Sequence, residues 1–243
     1  MGRTAILLAL SAVAASIALA AFSATSTAGV AGGASPHWHR QHVRSAPRRA
    51  TLGRVMLRRS DVPRSFAAKP YQGSGGAHSR RDQRVMAHCL GIRTTHPDHV
   101  ASAHSADYPD GTTQLSSSVD SYRRRGDVAD DSALVRSPKA VRCLRSDFRR
   151  ELAGDLPAGA SVRNLRLRVS RASGGQPHDV LGAVTGSLVV TGSGHSIPMY
   201  LVMTLIAGPY VEAEITGVGI GHRVPIALER RLAAKVARRA ARV

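Results

Sequence analysis

The stretch Leu165-Arg166-Leu167-Arg168-Val169 decides the fold, because apolar and basic residues alternate in it one by one. Successive side chains of a β-strand point to opposite faces, so this period of two predicts a strand with one apolar and one basic face. Residues 137–154, which precede it, instead repeat their apolar residues at the helical period of 3.6. The chain is therefore expected to pass from helix to sheet at this point.

Three more strands are predicted after this alternation. The run Ile197–Ile206 is apolar on both faces, which indicates a central strand. Short connections at Gly192-Ser193-Gly194 and Gly208-Pro209 imply that the neighbouring strands are antiparallel. Together with an earlier, half-exposed strand, the predicted strands are Thr113–Tyr122, Leu165–Val169, Val180–Thr191, Ile197–Ile206 and Tyr210–Thr216.

Helices are predicted before and after the strand Thr113–Tyr122 and at the end of the chain. The clearest has Ser137 as its N-cap and Pro138 in its first turn. Two others cover Leu52–Arg59 and the segment from Ser79 to Gly91, after which a polar loop is expected up to residue 112. The last begins at Pro225, with an apolar side and an arginine-rich side. The elements predict a single α+β domain over residues 51–243, a twisted antiparallel sheet of about five strands with helices packed on one face.

The N-terminal 28 residues have the composition of a secretory signal peptide. Arg3 supplies a positive charge, an uncharged apolar run covers Ala5–Phe22, and small residues follow up to Ala28. We predict a signal peptide over residues 1–28 and a secreted or extracytoplasmic location. The alternative is an uncleaved N-terminal membrane anchor, because the run is near the lower length limit for a span. Residues 29–50 lack apolar periodicity and are expected to form a basic disordered linker.

The chain is strongly basic, with 34 Lys and Arg residues against 16 Asp and Glu residues and a net charge of +18. In an exported protein this charge predicts contact with an anionic cell-wall polymer or a membrane surface. Nucleic acid is not expected as a partner, because the protein is exported and an aromatic content of 4% leaves few rings to stack on bases. The predicted polyanion-binding residues are Arg40, Arg44, Arg48, Arg49, Arg238 and Arg239.

The only two cysteines are Cys89 and Cys143. An even number of cysteines in an exported chain favours a disulfide, which would here join two predicted helices. A catalytic thiol is an alternative, since His88 is adjacent to Cys89. Consecutive helical residues point about 100° apart, however, so His88 does not easily reach the thiol. A zinc site is also less favoured, because the chain has no Cys-x-x-Cys motif.

Two other groups of residues have the chemistry of an enzyme site without its spacing. His96, His99 and His104 could bind zinc or copper, but their spacing matches no regular ligand frame. Glu212 and Glu214 share a face of a strand, where we expect an exposed surface rather than an acid–base pair. We therefore predict no catalytic residues, no cofactor and no metal site, with His96, His99 and His104 as the metal candidates.

Several short motifs resemble those of a broad group of actinobacterial exported or lipid-anchored domains of uncharacterised function. Leu57–Phe66 is similar to the opening Leu-x-x-x-Asp-Leu-Pro-x-Gly-Trp of that group, with Ser65-Phe66 in place of Gly-Trp. Residues 89–91 match a helix end Cys-Leu-Gly, Thr113–Val119 resembles its next strand, and Cys143 matches a second helical cysteine. The resemblance implies an exported domain with a disulfide and a Mog1/PsbP-like or sensor-like fold, and it brings no catalytic residues.

These observations predict a secreted, non-enzymatic binding or sensor-like domain of the cell envelope. The uncovered face of the sheet, or a cleft between sheet and helix, would bind a small or lipidic ligand. The alternative is a metal-dependent or hydrolytic extracellular enzyme that uses His96, His99 or His104.

Overall fold

The structure, a computed structural model, describes residues 49–71, 88–91, 99–123, 138–156, 159–171, 180–192 and 194–243. None of the helices in these ranges is both long enough and apolar enough to cross a membrane. In chain order the elements are α1 (Arg49–Leu52), β1 (His99–His104), β2 (Tyr108–Asp110), β3 (Thr113–Tyr122), α2 (Pro138–Asp155), β4 (Ser161–Arg171), β5 (Val180–Gly192), β6 (His195–Ala207), β7 (Val211–Ile220) and α3 (Ile226–Ala240).

The strands form one antiparallel sheet, as the sequence predicted. Their order is β1-β3-β7-β6-β5-β4, and β2 pairs with β3. The sheet has seven strands rather than the predicted number of about five, because β1 and β2 lie in the segment that was expected to be a polar loop. The sequence of β1, His-Val-Ala-Ser-Ala-His, alternates small and polar residues only from Ala101 onward, so its period of two is weakly marked.

Strand β6 lies inside the sheet, between β5 and β7, because it is apolar on both faces. Val202 and Ile206 point to one face, whereas Leu201 and Met203 point to the other. All four side chains are buried. The predicted position of this strand in the sheet interior is therefore confirmed.

The two long helices pack on opposite faces of the sheet. Helix α3 lies on the face of Val202, where Val236 joins the same buried cluster. Helix α2 lies on the face of Met203, against which Phe148 packs. The prediction that the helices pack on one face is not confirmed, because the strands carry apolar side chains on both sides and each side needs a cover. We call these two surfaces the α3 face and the α2 face.

Each face is apolar over one half of the sheet and polar over the other half. On the α3 face, the apolar half spans β3, β7 and β6, and Arg166 and Arg168 occupy the polar half on β4. On the α2 face the arrangement is reversed. Its apolar half spans β4, β5 and β6, and its polar half carries Glu212 and Glu214 on β7.

Residues 52–66 complete the cover of the α3 face. The predicted helix over Leu52–Arg59 is not formed, since α1 already ends at Leu52. The backbone instead bonds to the sheet: the Leu57 amide donates to Ser117 Oγ at 2.9 Å. The Leu57 carbonyl accepts from the Tyr108 hydroxyl at 3.3 Å. These partners replace the backbone bonds of a helix, so the segment follows the sheet and buries its apolar side chains there.

Cys89 and Cys143 lie at disulfide distance, with their Sγ atoms 2.06 Å apart, as the sequence predicted. Residues 88–90 are helical, and Gly91 follows with a φ of 74°, the left-handed conformation that commonly ends a helix. Cys143 is buried at 2% exposure. The disulfide therefore attaches residues 88–91 to α2 at the edge of the core.

Candidate functional site

Helix α3 turns an arginine-rich side toward solvent. Its apolar side, which includes Leu232 and Val236, is buried against the sheet, so that the opposite side is exposed. The arginines of the exposed side form no ion pair with a carboxylate of the described ranges. We call this surface the α3 arginine face; it consists of Arg230, Arg231 and Arg238 of the helix and of Arg242, which follows the end of the helix.

Arg239, which was predicted together with Arg238 to bind polyanions, is engaged inside the fold. Its two terminal nitrogens each donate to an oxygen of Asp61 at 2.7 Å, and Nη1 also donates to the Met56 carbonyl at 2.9 Å. Lys235 Nζ lies 3.4 Å from Asp61 Oδ1. The Asp61 side chain is only 3% exposed. Arg239 therefore fastens α3 to the segment around Asp61, and its guanidinium is already occupied.

The electrostatics around Asp61 favour the ionised carboxylate. Burial on its own would raise the pKa of Asp61. The hydrogen bonds from Arg239 and from the Arg58 amide, together with the charges of Arg239 and Lys235, outweigh burial and hold the pKa below its ordinary value. The pair is therefore fully charged at neutral pH.

A cleft of about 330 Å³ lies on the polar half of the α3 face, beside the start of α3. We call it the arginine cleft, because Arg166 and Arg168 line it from β4 and Arg223 lines it from the connection between β7 and α3. Arg166 and Arg168 share this face because residues two apart in a strand point the same way. Arg166 and Arg168, the basic residues of the alternating stretch 165–169, thus form one wall of the cleft.

Two rows of side chains cross the floor of the arginine cleft. Each row begins at an arginine of β4, passes a hydroxyl residue of β5 and ends on β6. Side chains directly opposite each other on neighbouring strands lie within contact range. The rows are Arg166, Ser187 and Tyr200, and Arg168, Thr185 and Val202.

The charge in the arginine cleft is positive. Arg223 lies over the ring of Tyr200, with its Cζ 5.5 Å from the ring centroid, a cation–π distance. Glu229 is the carboxylate among the lining residues, and its Oε1 accepts a hydrogen bond from Thr204 Oγ1 at 2.8 Å. Arg166, Arg168 and Arg223 have no ion pair in the described ranges. Three guanidinium groups against one carboxylate give the cleft the charge that an anionic ligand needs.

Glu212 and Glu214 are buried, at 5% and 3% exposure, which corrects the prediction of an exposed strand face. They lie on the polar half of the α2 face, where Asp120 of β3 is paired with Glu212. All positions of β7 from Val211 to Gly219 are buried, so its polar residues lie out of solvent together with its apolar ones. Hydroxyl groups supply donors to this cluster: Thr216 to Glu214 at 2.5 Å, Tyr122 to Glu212 at 3.4 Å, and Ser102 to Asp120 at 2.5 Å.

Glu214 is the carboxyl group in this cluster that burial affects most clearly. Burial raises its pKa to about 8; the hydrogen bond from Thr216 opposes that change and the charge of Asp120 adds to it. Within the described ranges, its Oε2 has no hydrogen-bond partner. Burial, followed by the charges of Asp107 and Glu214, also raises the pKa of the nearby Tyr71. Glu214 therefore holds a proton at neutral pH, in a place where the sequence suggested a solvated carboxylate.

The three histidines proposed as metal ligands are not brought together in the part of the chain that the structure describes. His96 lies outside that part, and only the backbone of His99 is described, in β1. The ring of His104 stacks on Tyr71 with 4.5 Å between the centroids. Within the described ranges, no group of three His, Cys, Asp or Glu residues could hold a metal ion. The alternative of a metal site that includes His96 and His99 is therefore untested.

The predicted polyanion-binding residues of the linker also stay a prediction. Arg40, Arg44 and Arg48 lie outside the described residues, and Arg49 is described only as the first backbone position of α1. The arginine cleft, in contrast, was missed. The alternation at 165–169 did indicate a basic strand face, but the partners of that face on β5 and β6 follow from the register of the sheet, which the local pattern does not contain.

No family model matches this chain, and neither does any curated protein or any solved structure. The function is therefore inferred from the residues of this chain alone.

Proposed function

We propose that the protein is a secreted, non-enzymatic binding or sensor-like domain of the cell envelope, held at an anionic surface by the α3 arginine face. The observation that supports the proposal is the arrangement of α3. Three exposed arginines lie on α3 and a fourth, Arg242, follows its end, and the described ranges offer them no carboxylate partner. Guanidinium groups that the fold leaves unpaired are available for the phosphate or carboxylate groups of a membrane or wall polymer.

Two features support the exported location that this proposal assumes. Residues 1–28, which lie outside the described residues, have the order of charged, apolar and small residues that is typical of a signal peptide. The disulfide between Cys89 and Cys143 is compatible with an extracellular, oxidising environment. An exported protein with a net charge of +18 would meet the anionic polymers and lipids of the envelope, which attract it electrostatically.

Cosedimentation with lipid vesicles tests the electrostatic part of the proposal. We expect the protein to bind vesicles that contain phosphatidylglycerol and not vesicles of phosphatidylcholine alone. Binding should weaken as salt is raised, because the arginines are exposed and their charges are screened. A wall polymer that carries phosphate should compete with the vesicles. Binding that is absent, or that does not change with salt, would contradict the proposal.

Charge variants locate the binding surface. The triple variant R231Q/R238Q/R242Q should lose about 3 kcal/mol of vesicle affinity, roughly a hundredfold, since each arginine at an anionic surface contributes about 1 kcal/mol. The matched control is R142Q/R145Q/R149Q, which removes the same charge from exposed positions of α2 on the other side of the sheet. Equal losses in both variants would indicate a general charge effect and not a defined surface.

Elemental analysis of the purified protein tests the non-enzymatic part. We expect no stoichiometric transition metal. Zinc or copper bound at one equivalent would instead favour the metal-dependent enzyme that uses His96, His99 or His104.

A further inference from the structure

The arginine cleft is a second site, separate from the α3 arginine face. Its lining combines three kinds of group: the guanidiniums of Arg166, Arg168 and Arg223, the hydroxyls of two β5 residues, and an apolar end. The apolar end is formed by Val202, Val224 and Ile226. Ile226 is 60% exposed, one of the few large apolar side chains of the described ranges that lie open to solvent.

The cationic groups are placed by the fold and are not scattered over a surface. Arg166 and Arg168 stand side by side on β4, with the hydroxyls of Ser187 and Thr185 directly opposite them on β5. Arg223 is held over the Tyr200 ring from the other side. An oxyanion on this floor would meet guanidinium forks and hydroxyl donors together, the donor set that recognises phosphate and carboxylate groups.

The size and the apolar end define the rest of the ligand. The cavity of about 330 Å³ is at the lower end of the range for small-molecule sites. A site of that size accepts a small molecule, for example a single ring with one charged group. The exposed Ile226 at the apolar end loses water contact when such a ring covers it, which favours an amphiphilic ligand over a bare ion.

We propose that the arginine cleft binds a small organic oxyanion, a phosphate monoester or a carboxylate, that carries a ring or a short apolar chain. The charged group lies at Arg166 and Arg168, next to the hydroxyls of Ser187 and Thr185. The apolar part lies against Val202 and Ile226. The same chemistry is offered by a free metabolite and by the head group of an anionic lipid, so the source is distinguished by experiment.

Calorimetric titration of the purified protein with phenyl phosphate tests the site. Phenyl phosphate should bind more tightly than inorganic phosphate, and phenol should not bind, because both the anion and the ring contribute. The variant R166Q/R168Q should weaken phenyl phosphate binding by more than about tenfold, since both guanidinium forks are removed. The variant I226S should weaken binding of phenyl phosphate and leave that of inorganic phosphate unchanged.

The matched control is R142Q/R145Q, which removes the same charge from α2 and should keep full affinity. Failure of phenyl phosphate to bind the wild-type protein would overturn the proposal. An equal loss in R166Q/R168Q and in R142Q/R145Q would overturn it too, because the site would then be a general charge effect. The R166Q/R168Q variant should still sediment with anionic vesicles, so that failure of the cleft and failure of the α3 arginine face are told apart.

Competition by a soluble, short-chain phosphatidic acid identifies the source of the ligand. If it displaces phenyl phosphate from the wild-type protein, the cleft accepts a lipid head group. If it does not, the cleft selects small soluble anions. Binding of phenyl phosphate that depends on Arg166 and Arg168 supports the site in both cases.

Discussion

Glu214 illustrates how the position of a strand determines the protonation of one side chain. In sequence it alternates with Val211, Ala213 and Ile215, a pattern typical of a strand with a solvated face. In the fold β7 lies between β3 and β6, and polar residues of β3 stand beside Glu214 on a covered face. Burial then raises the pKa of Glu214 to about 8. The residue holds its proton because its ionised form would lack the hydration that water supplies.

This carboxyl group should make the stability of the protein depend on pH. Its pKa is about 8 in the fold and about 4.3 in the unfolded chain, so the folded state binds more protons between these values. Its favourable contribution is fully present below about pH 4.3 and is lost progressively as pH rises through 8. From about pH 5 to pH 8, the free energy of unfolding of the wild type should fall by about 1–3 kcal/mol more than that of E214Q, measured by urea denaturation.

The variant T216V provides an internal check on this prediction. Thr216 donates to Glu214 Oε1 at 2.5 Å and lowers its pKa, so removal of the hydroxyl should make the pH dependence steeper. Parallel pH profiles for the wild type and E214Q would show that Glu214 is ionised in the fold at neutral pH.

The attachment of helix α3 depends on one ion pair whose strength can be measured. In the part of the chain that the structure describes, replacement of Arg239 by alanine leaves Asp61 buried with Lys235 as its remaining cation. We expect R239A to lower the free energy of unfolding by about 2–4 kcal/mol, because a buried carboxylate loses a bidentate partner. The exposed neighbour gives the control, since R238A should change stability by less than about 0.5 kcal/mol.

The same pair should weaken in acid. The pKa of Asp61 is held below its ordinary value, so its contribution is present above the unfolded pKa of about 3.9 and is lost as pH falls through the folded pKa. The difference between the wild type and R239A in urea denaturation should therefore shrink at about pH 3. If the difference between the wild type and R239A is the same at about pH 3 as at neutral pH, Arg239 stabilises α3 through packing of its alkyl chain and not through charge.

How far the elements could be predicted depends on whether their signal is local. The position of β6 follows from its own sequence, because only a strand with two covered faces is apolar at consecutive positions. The prediction of a helix over Leu52–Arg59 is wrong. The backbone of Leu57 bonds instead to Ser117 and Tyr108, residues about fifty or more positions away in the chain. The arginine cleft could not be predicted for the same reason, because its lining depends on the register of β4, β5 and β6.

In the whole molecule, the two buried clusters share the strands of one sheet. Val202 and Met203 are consecutive residues, yet they belong to the cluster under α3 and to the cluster under α2 respectively. Loss of either cluster would expose one face of β6. The described part of the protein should therefore unfold as one cooperative unit rather than as two.

Truncations on opposite faces test this cooperativity. V236A removes packing under α3 and F148A removes packing under α2, with expected losses of about 1–3 and about 3–5 kcal/mol. Far-ultraviolet and near-ultraviolet circular dichroism should report the same single transition in both variants. A second transition in one variant alone would show that the two faces are stabilised independently.

The outermost strand β4 has a consequence for the behaviour of the protein in concentrated solution. It has no neighbour beyond it in the described ranges, and its 11 residues leave a row of backbone groups that could pair with another chain. A register shift between Arg163 and Arg166, with Asn164 at a φ of 55°, interrupts that row. Two molecules that met edge to edge would also bring like charges together at Arg166 and Arg168. We therefore expect resistance to fibril-like association to depend on the same side chains that line the cleft, so that a change in the proposed ligand site would also change solubility.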